Sequence, residues 1–317
     1  LWTKNAWWGE LAVIVSKAQV GALERAAETG GRSLWKDARI RFFRNRAAAA
    51  ALVVLVLIAL FAFFGGALAQ YDGETIDWAR MGDIAGHGAP SFANGHYFGL
   101  DELGRDMFAR TVQGTRISLM VGVVGALIAV VVGTLYGATA GYFGGRLDGI
   151  MMRTVDILMA VPFMFVLILL LVIFEQSIMI LFIGIGLISW LDMARIARGQ
   201  TLSIKNKEFV EAAVAIGVKP MTIILRHIVP NLAGIVIVYS TLLIPGMIIT
   251  ESFISFLGLG VQEPDTSLGV LISRGAGQMQ YGVIWQLLFP LFFFIVTLFA
   301  FFFIGDGLRD ALDPKDR

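Results

Sequence analysis

Six stretches of this chain are apolar over most of the length a helix needs to cross a bilayer. They run approximately over 47–68, 117–140, 155–174, 178–191, 232–250 and 284–304. A hydrocarbon core of roughly 30 Å takes about 20 mostly apolar helical residues. Helix is the only state open to such runs, because an isolated strand in lipid leaves its backbone groups unpaired. A transmembrane barrel needs alternating segments of about ten residues, and no such alternation is present. The fourth run is short, and its helix is expected to borrow the residues that follow it. Composition agrees: 57% of the 317 residues are hydrophobic and only 15% are charged, against about 25% charged in an ordinary soluble domain. Mean hydropathy is +0.77. The expected fold is an all-α membrane protein of six transmembrane helices.

Several chemistries fall away at once. The chain has no cysteine, which removes disulfides, thiolate metal sites and thiol catalysis. His87, His96 and His227 are its three histidines, all in polar stretches, and leave little for a metal site. A net charge of +1 does not suit nucleic acid.

Six spans place both termini on one side. Twenty of the 25 Lys and Arg residues fall on that side, in 1–46, 141–154, 192–228 and 305–317. The positive-inside rule then makes it the cytoplasm. Residues 1–46 form an expected cytoplasmic tail, 47–70 the first span and 71–116 a periplasmic segment. Five further helices occupy 117–304, and a cytoplasmic tail covers 305–317. Ala67 and Ala69 resemble a signal-peptidase site. The long preceding segment and an apolar core of about 22 residues instead favour an uncleaved span.

The middles of the six runs carry no charge. Asp156 and Glu175 sit at the ends of the third, and Asp192 and Glu251 just past the fourth and fifth. A proton- or ion-driven carrier usually needs an ionisable group or a broken helix near the midplane, so transport powered by this chain alone is not expected. Gly133, Gly137 and Gly141 form a stripe of small residues, read first as ordinary helix packing and second as a seam between two chains.

The loop 192–228 is long for a compact bundle. Lys207, Glu208, Glu211, Ala212 and Ala213 favour helix. Phe209, Ala212, Ala213 and Ile216 give it an apolar side. Gly217 stops the helix, and Pro220 starts a second segment that leads through Pro230 and Asn231 into the fifth span. A short amphipathic helix across a membrane surface can lie in lipid or fill a partner's groove. Its mixed Lys/Glu polar face and small apolar residues favour the groove.

Glu211-Ala212-Ala213, Gly217 and Pro230 resemble the EAA loop of binding-protein-dependent ABC importer permeases. Residues 226–231 (RHIVPN) resemble the peptide subfamily. So do 99–106 (GLDELGRD, with Leu100 where Thr is usual), 251–260 (ESFISFLGLG) with Pro264, Gly269 and Leu268 where Trp is usual, and 305–314 (GDGLRDALDP). The resemblance covers most of the chain and is nearest to C-type oligopeptide permeases. It implies a non-catalytic subunit of the bacterial inner membrane with the fold of type I importer permeases. It also implies a B-type permease partner, two ATPase subunits, and a periplasmic or lipid-anchored peptide-binding protein. The chain contains no Gly-Lys pair and hence no Walker A motif. ATP and Mg therefore belong on the ATPases, and no cofactor is expected here.

Under that resemblance Glu208, Glu211, Ala212, Ala213, Gly217 and Pro230 are the expected ATPase-coupling residues. The coupling helix would drag the fourth and fifth spans as the ATPases close. Switching a two-state permease from 1:99 to 99:1 takes about 5.5 kcal/mol of differential binding. Glu251, Phe253, Phe256, Gly258 and Gly260 are candidates for a periplasmic gate, because an apolar loop outside the membrane should fold back into a cavity. Asp101, Arg105 and Asp106, with Arg110, are candidate contacts for the binding protein, with a self-paired surface as the alternative. Trp7, Trp8, Leu11, Ile14, Val15 and Ala18 can form one helix face, either mobile or docked. Two other functions stay open: the same architecture carrying dipeptide, nickel or another small solute, and a membrane scaffold that moves nothing.

Overall fold

The computed structural model describes residues 34–174 and 177–312. The expected N-terminal helix face, Glu175 and the last residues of the C-terminal tail lie outside them. Among the described residues the chain is helical, with two isolated bridges, Ile76 to Arg105 and Leu100 to Asp106.

Helix α1 (Leu34–Arg44) leads into α2 (Arg46–Phe64). Asn45 caps α2 by accepting from the N–H groups of Ala47 and Ala48 at 3.1 and 3.2 Å, which satisfies two of the free donors at a helix start. An irregular segment follows, with two 3₁₀ turns (Gly65–Leu68 and Met81–Asp83) and one short α-helix, α3 (Ile84–His87). Helix α4 (Met107–Phe143) starts well before Ile117, where the apolar run begins, because Asp106 caps it by accepting from Ala109 N–H at 2.8 Å. Its 37 residues extend about 55 Å, so it projects beyond a bilayer core.

The third span is the main departure from expectation. It is two helices, α5 (Gly145–Ala160) and α6 (Phe163–Ile173), bent by 77°. Pro162 stands between them, and a residue with no N–H cannot carry a helix ladder through. Among the described residues five helical segments are long and apolar enough to cross a membrane, or six if the bent pair counts as one. Helix α7 (Ile178–Ile204) takes in the polar residues after its apolar run, as expected.

Helix α8 (Glu208–Ala215) is the amphipathic helix of the long loop. Beyond it α9 (Pro220–Ile223), a π-helical turn (Ile224–Ile228) and α10 (Val229–Phe256) run on as one helical segment. The second segment thus leads through Pro230 and Asn231 into the fifth span, as expected. The wide turn just before Pro230 shifts the ladder, with Val229 N–H donating to Ile224, so the proline's imide nitrogen is accommodated. Helices α11 (Leu268–Gln278) and α12 (Trp285–Leu312) complete the fold.

Helix α4 packs along α7 more extensively than any other pair. The glycine stripe belongs to that contact. A Cβ on Gly133 would meet the Trp190 carbonyl, one on Gly137 the Ala194 carbonyl and Arg198 N, and one on Gly141 the Thr201 side chain. The stripe is internal packing and does not lie on an open seam.

Candidate coupling and gating sites

Three sites follow from this frame. At one end, α8 lies across the ends of α4, α7 and α10. Its Val210 and Ala213 are buried with Ala138, Ala197, Ile204, Ile223, Ile224, Ile228 and Leu232. Gly217 ends it with φ +80°, and two hydrogen bonds close the turn: Gly217 N–H to Val214 O and Val218 N–H to Ala213 O, both 3.0 Å. Glycine takes this left-handed conformation without steric cost.

The expected apolar side of this helix needs correction. Of Phe209, Ala212, Ala213 and Ile216 only Ala213 turns inward, and Val210 supplies the rest of the buried face. Phe209, Ala212, Val214 and Ile216 are exposed, Ile216 at 81%. Ala213 therefore anchors α8 to its own bundle and does not give a partner close approach. Glu208 and Glu211 stand exposed in the first turn, the favoured end of a helix for negative charge. Pro230 lines a separate cavity with Asn231, Trp35 and Arg309.

At the opposite end, the residues expected to meet a binding protein are buried instead. Asp101, Arg105 and Asp106 are 3%, 7% and 2% exposed, and Arg110 is fully covered. Arg105 donates to Asp101 at 2.7 Å and, through its other nitrogens, to Glu263 at 2.8 and 3.3 Å. Arg110 reaches Glu263 at 3.2 Å and Arg274 also pairs with it. Partial burial works to raise the Glu263 pKa; the Arg105 hydrogen bonds and the charges of Arg110, Arg105 and Arg274 outweigh it and bring the pKa down to about 2. Asp106 bonds His96 Nδ1 at 2.8 Å, and His96 stacks on Tyr71. Burial holds the Asp106 pKa above the usual carboxylate range despite the Ala109 N–H and His96. Paired inside the chain, these groups fasten the segment before α4 to the one before α11, and they are not free to dock a protein in this conformation.

The gate candidates divide. Glu251 is neither at the end of a span nor in a loop. It lies inside α10 and is fully buried. Ser255 Oγ lies 2.6 Å, Ser118 Oγ 3.1 Å and Ser252 Oγ 3.3 Å from its carboxylate. Ser118 in turn accepts from Leu268 N–H at 3.2 Å, which links α4, α10 and the start of α11. The serines let the helix run six residues past the apolar stretch, to Phe256. Phe253 and Phe256 are exposed at its end. Gly258 (φ +78°) ends it in the same two-bond turn as Gly217, with Leu259 N–H to Ile254 O at 3.1 Å. Leu259 and Val261 then fold back into the core. Gly260 rests on Ser255, where any Cβ would collide.

Sequence reasoning missed Glu263, Arg274 and Ser118 as members of these sites. Glu263 sits 158 and 153 residues from the arginines it joins, so no local spacing announces it.

Residues 129–317 match the family of binding-protein-dependent transport system inner membrane components. The chain belongs to this permease family. Residues 33–90 also match the N-terminal TM domain of oligopeptide transport permease C. The chain is 56% identical over 308 residues to the oligopeptide transport system permease protein OppC of Escherichia coli (strain K12), covering 96% of this chain and 100% of that one. It is 55% identical over 287 residues to OppC of Haemophilus influenzae, covering 90% of each. To the dipeptide transport system permease protein DppC of Bacillus subtilis it is 43% identical over 285 residues, 90% of this chain and 87% of that one. The chain is thus a non-catalytic, multi-pass inner-membrane subunit of an ABC transporter, a family without a cofactor of its own. Membership implies a partner permease, ATPases and a binding protein.

Proposed function

We propose that this permease forms half of the path of an oligopeptide importer, with a B-type permease as the other half, and that α8 is its contact with one of two ATPases. The 55–56% identity to OppC of Haemophilus influenzae and Escherichia coli, over 90–96% of this chain, and the match of residues 33–90 to the N-terminal TM domain of oligopeptide transport permease C support the cargo. The observation that carries the coupling role is the two-sided construction of α8. Val210 and Ala213 fasten it to three long helices, while Phe209, Ala212 and Ile216 present an apolar face that is exposed among the described residues. A helix laid in a groove is read through such anchors at i, i+3 and i+7. Because α8 is fixed to the ends of α4, α7 and α10, a groove that moves it moves those ends as well. The end that carries α8, the start of α1 and the end of α12 is then cytoplasmic, in keeping with the Lys and Arg distribution.

At the periplasmic end, Glu251 with its serines and the turn at Gly258 hold α10, α11 and α4 together. We assign to them the outer barrier. The experiment is uptake of labelled peptides of three to five residues, as the probe, into liposomes holding the full complex. Uptake that requires ATP and the binding protein supports the reading. A complex that imports only dipeptides, or a non-peptide solute, overturns the cargo. A chain that moves nothing in the full complex is a scaffold.

A further inference from the structure

Helix α5 is thinly attached to its neighbours: of its residues only Asp148 and Val155 are buried. Val155 is buried with Leu191 and Ala194, but Ile150 and Ile157 are 67% and 61% exposed. What joins α5 to α7 besides this small cluster is a pair of ionic rungs. Arg198 meets the buried Asp148 with both arms of its guanidinium, at 2.6 and 2.7 Å. Arg195, one turn away on α7, meets Asp156 at 2.6 Å. Asp148 and Asp156 stand two turns apart on α5. One rung alone permits rotation about itself; two rungs fix the angle between the helices. A bidentate arginine-carboxylate fork adds directional constraint that a point charge lacks.

The two ends of this ladder matter. Three residues after α7 the chain enters α8, and Ile204 of α7 shares a cluster with Val210 and Ala213 of α8. At its far end α5 meets the 77° bend into α6. We propose that Asp148–Arg198 and Asp156–Arg195 are positioning residues for transport, a ladder that makes α5 follow α7 and so passes the displacement of α8 to the bent span. This rests on α8 being the ATPase contact. Arg195 and Arg198 touch no substrate; they act through α5.

The test uses the full complex in liposomes, reading peptide uptake and the ATPase rate together. Because the chain has no native cysteine, Thr154→Cys on α5 and Val214→Cys on α8 can carry spin labels for a distance measurement. The ladder predicts that the label distance stays the same between nucleotide-free and ATP-bound states. With Arg198→Gln it changes between them, and uptake per ATP hydrolysed falls about 2- to 30-fold, the usual range for residues that carry coupling. Arg198→Lys falls between, and the swap of Asp148→Arg with Arg198→Asp restores uptake in part. Asp156→Asn, at a half-exposed rung that no fold depends on, lowers uptake per ATP by a smaller factor. Where Arg198→Gln fails to assemble, Asp156→Asn decides by the same readouts. Unchanged uptake per ATP and an unchanged label distance in the single variants overturn the ladder. So does a swap that assembles without rescue. A cross-link from Ile216→Cys to the ATPase, run in the same membranes, separates the two failures. If it forms and the ladder variants are silent, the ladder alone is wrong; if it does not form, the reading of α8 is wrong.

Discussion

The N–H of Val218 donates to the carbonyl of Ala213 at 3.0 Å, so the residue that anchors α8 also carries the turn that ends it. That turn needs Gly217 at φ +80°. A Cβ there meets nothing within 4 Å, so a substitution is opposed by backbone conformation alone. Gly217→Ala should cost about 1 kcal/mol and Gly217→Asn less, because Asn tolerates the left-handed region. Uptake should follow the same order, glycine above asparagine above alanine. Circular dichroism melts of the purified permease complex and uptake assays check it.

Ala212 and Ala213 are neighbours with opposite duties. Ala213→Asp puts an unpaired charge into an apolar cluster and should lower permease yield and stability by several kcal/mol. Ala212→Asp faces outward and should leave the melting of the permease unchanged while ATPase co-purification falls. If both variants behave alike, the two-sided account of α8 fails.

Glu263 ties Arg105 and Arg110, more than 150 residues earlier in the chain, to nearby Arg274. Its pKa lies below the unfolded value of 4.5, at about 2. Its stabilising contribution is therefore complete above about pH 4.5 and lost as pH falls from there toward 2. Asp106 runs the other way. Its raised pKa disfavours the folded state as pH rises past the ordinary carboxylate range, so acid relieves that burden while it removes the Glu263 contribution. The net expectation is an outer segment that loosens below pH 4.5, and Glu263→Gln should flatten that loss while lowering the plateau at neutral pH. Hydrogen exchange of residues 95–106 across pH 3–7 measures it.

Glu251→Ala removes the acceptor from the hydroxyls of Ser118, Ser252 and Ser255. Each buried hydroxyl left without a partner costs about 1–3 kcal/mol, so this variant should be strongly destabilised. Glu251→Gln keeps the shape and an acceptor oxygen, and should retain most of the stability. Thermal melts of the two variants in detergent check the order.

Much of this architecture was legible in the chain because lipid leaves so few options. Apolar length and the Lys and Arg distribution indicated the helices, and Gly217 with Pro220 marked the bend after α8. The misreadings share a cause. Hydropathy marks where lipid contact ends and does not mark where a helix ends. Thus α4, capped by Asp106, begins at Met107, ten residues before its apolar run, and α10 continues through Glu251 because serines of α4 and of α10 itself satisfy the carboxylate. Pro162 was visible, yet two apolar flanks concealed the break it makes. The self-pairing of the ionic groups of 101–110 is one of the two readings their sequence allows, but their burial is not legible locally, because Glu263 lies more than 150 residues away. Which side of α8 faces inward also depends on where α4, α7 and α10 end, and no local pattern encodes that.

The central claim is that the exposed side of α8 sits against an ATPase while its other side holds the bundle. A single cysteine in place of Ile216, in a chain with none of its own, allows a site-specific cross-link in the active complex. The account predicts a cross-link to an ATPase subunit from Ile216→Cys and none from Ala213→Cys. An active complex in which Ile216→Cys joins only lipid or the other permease contradicts it.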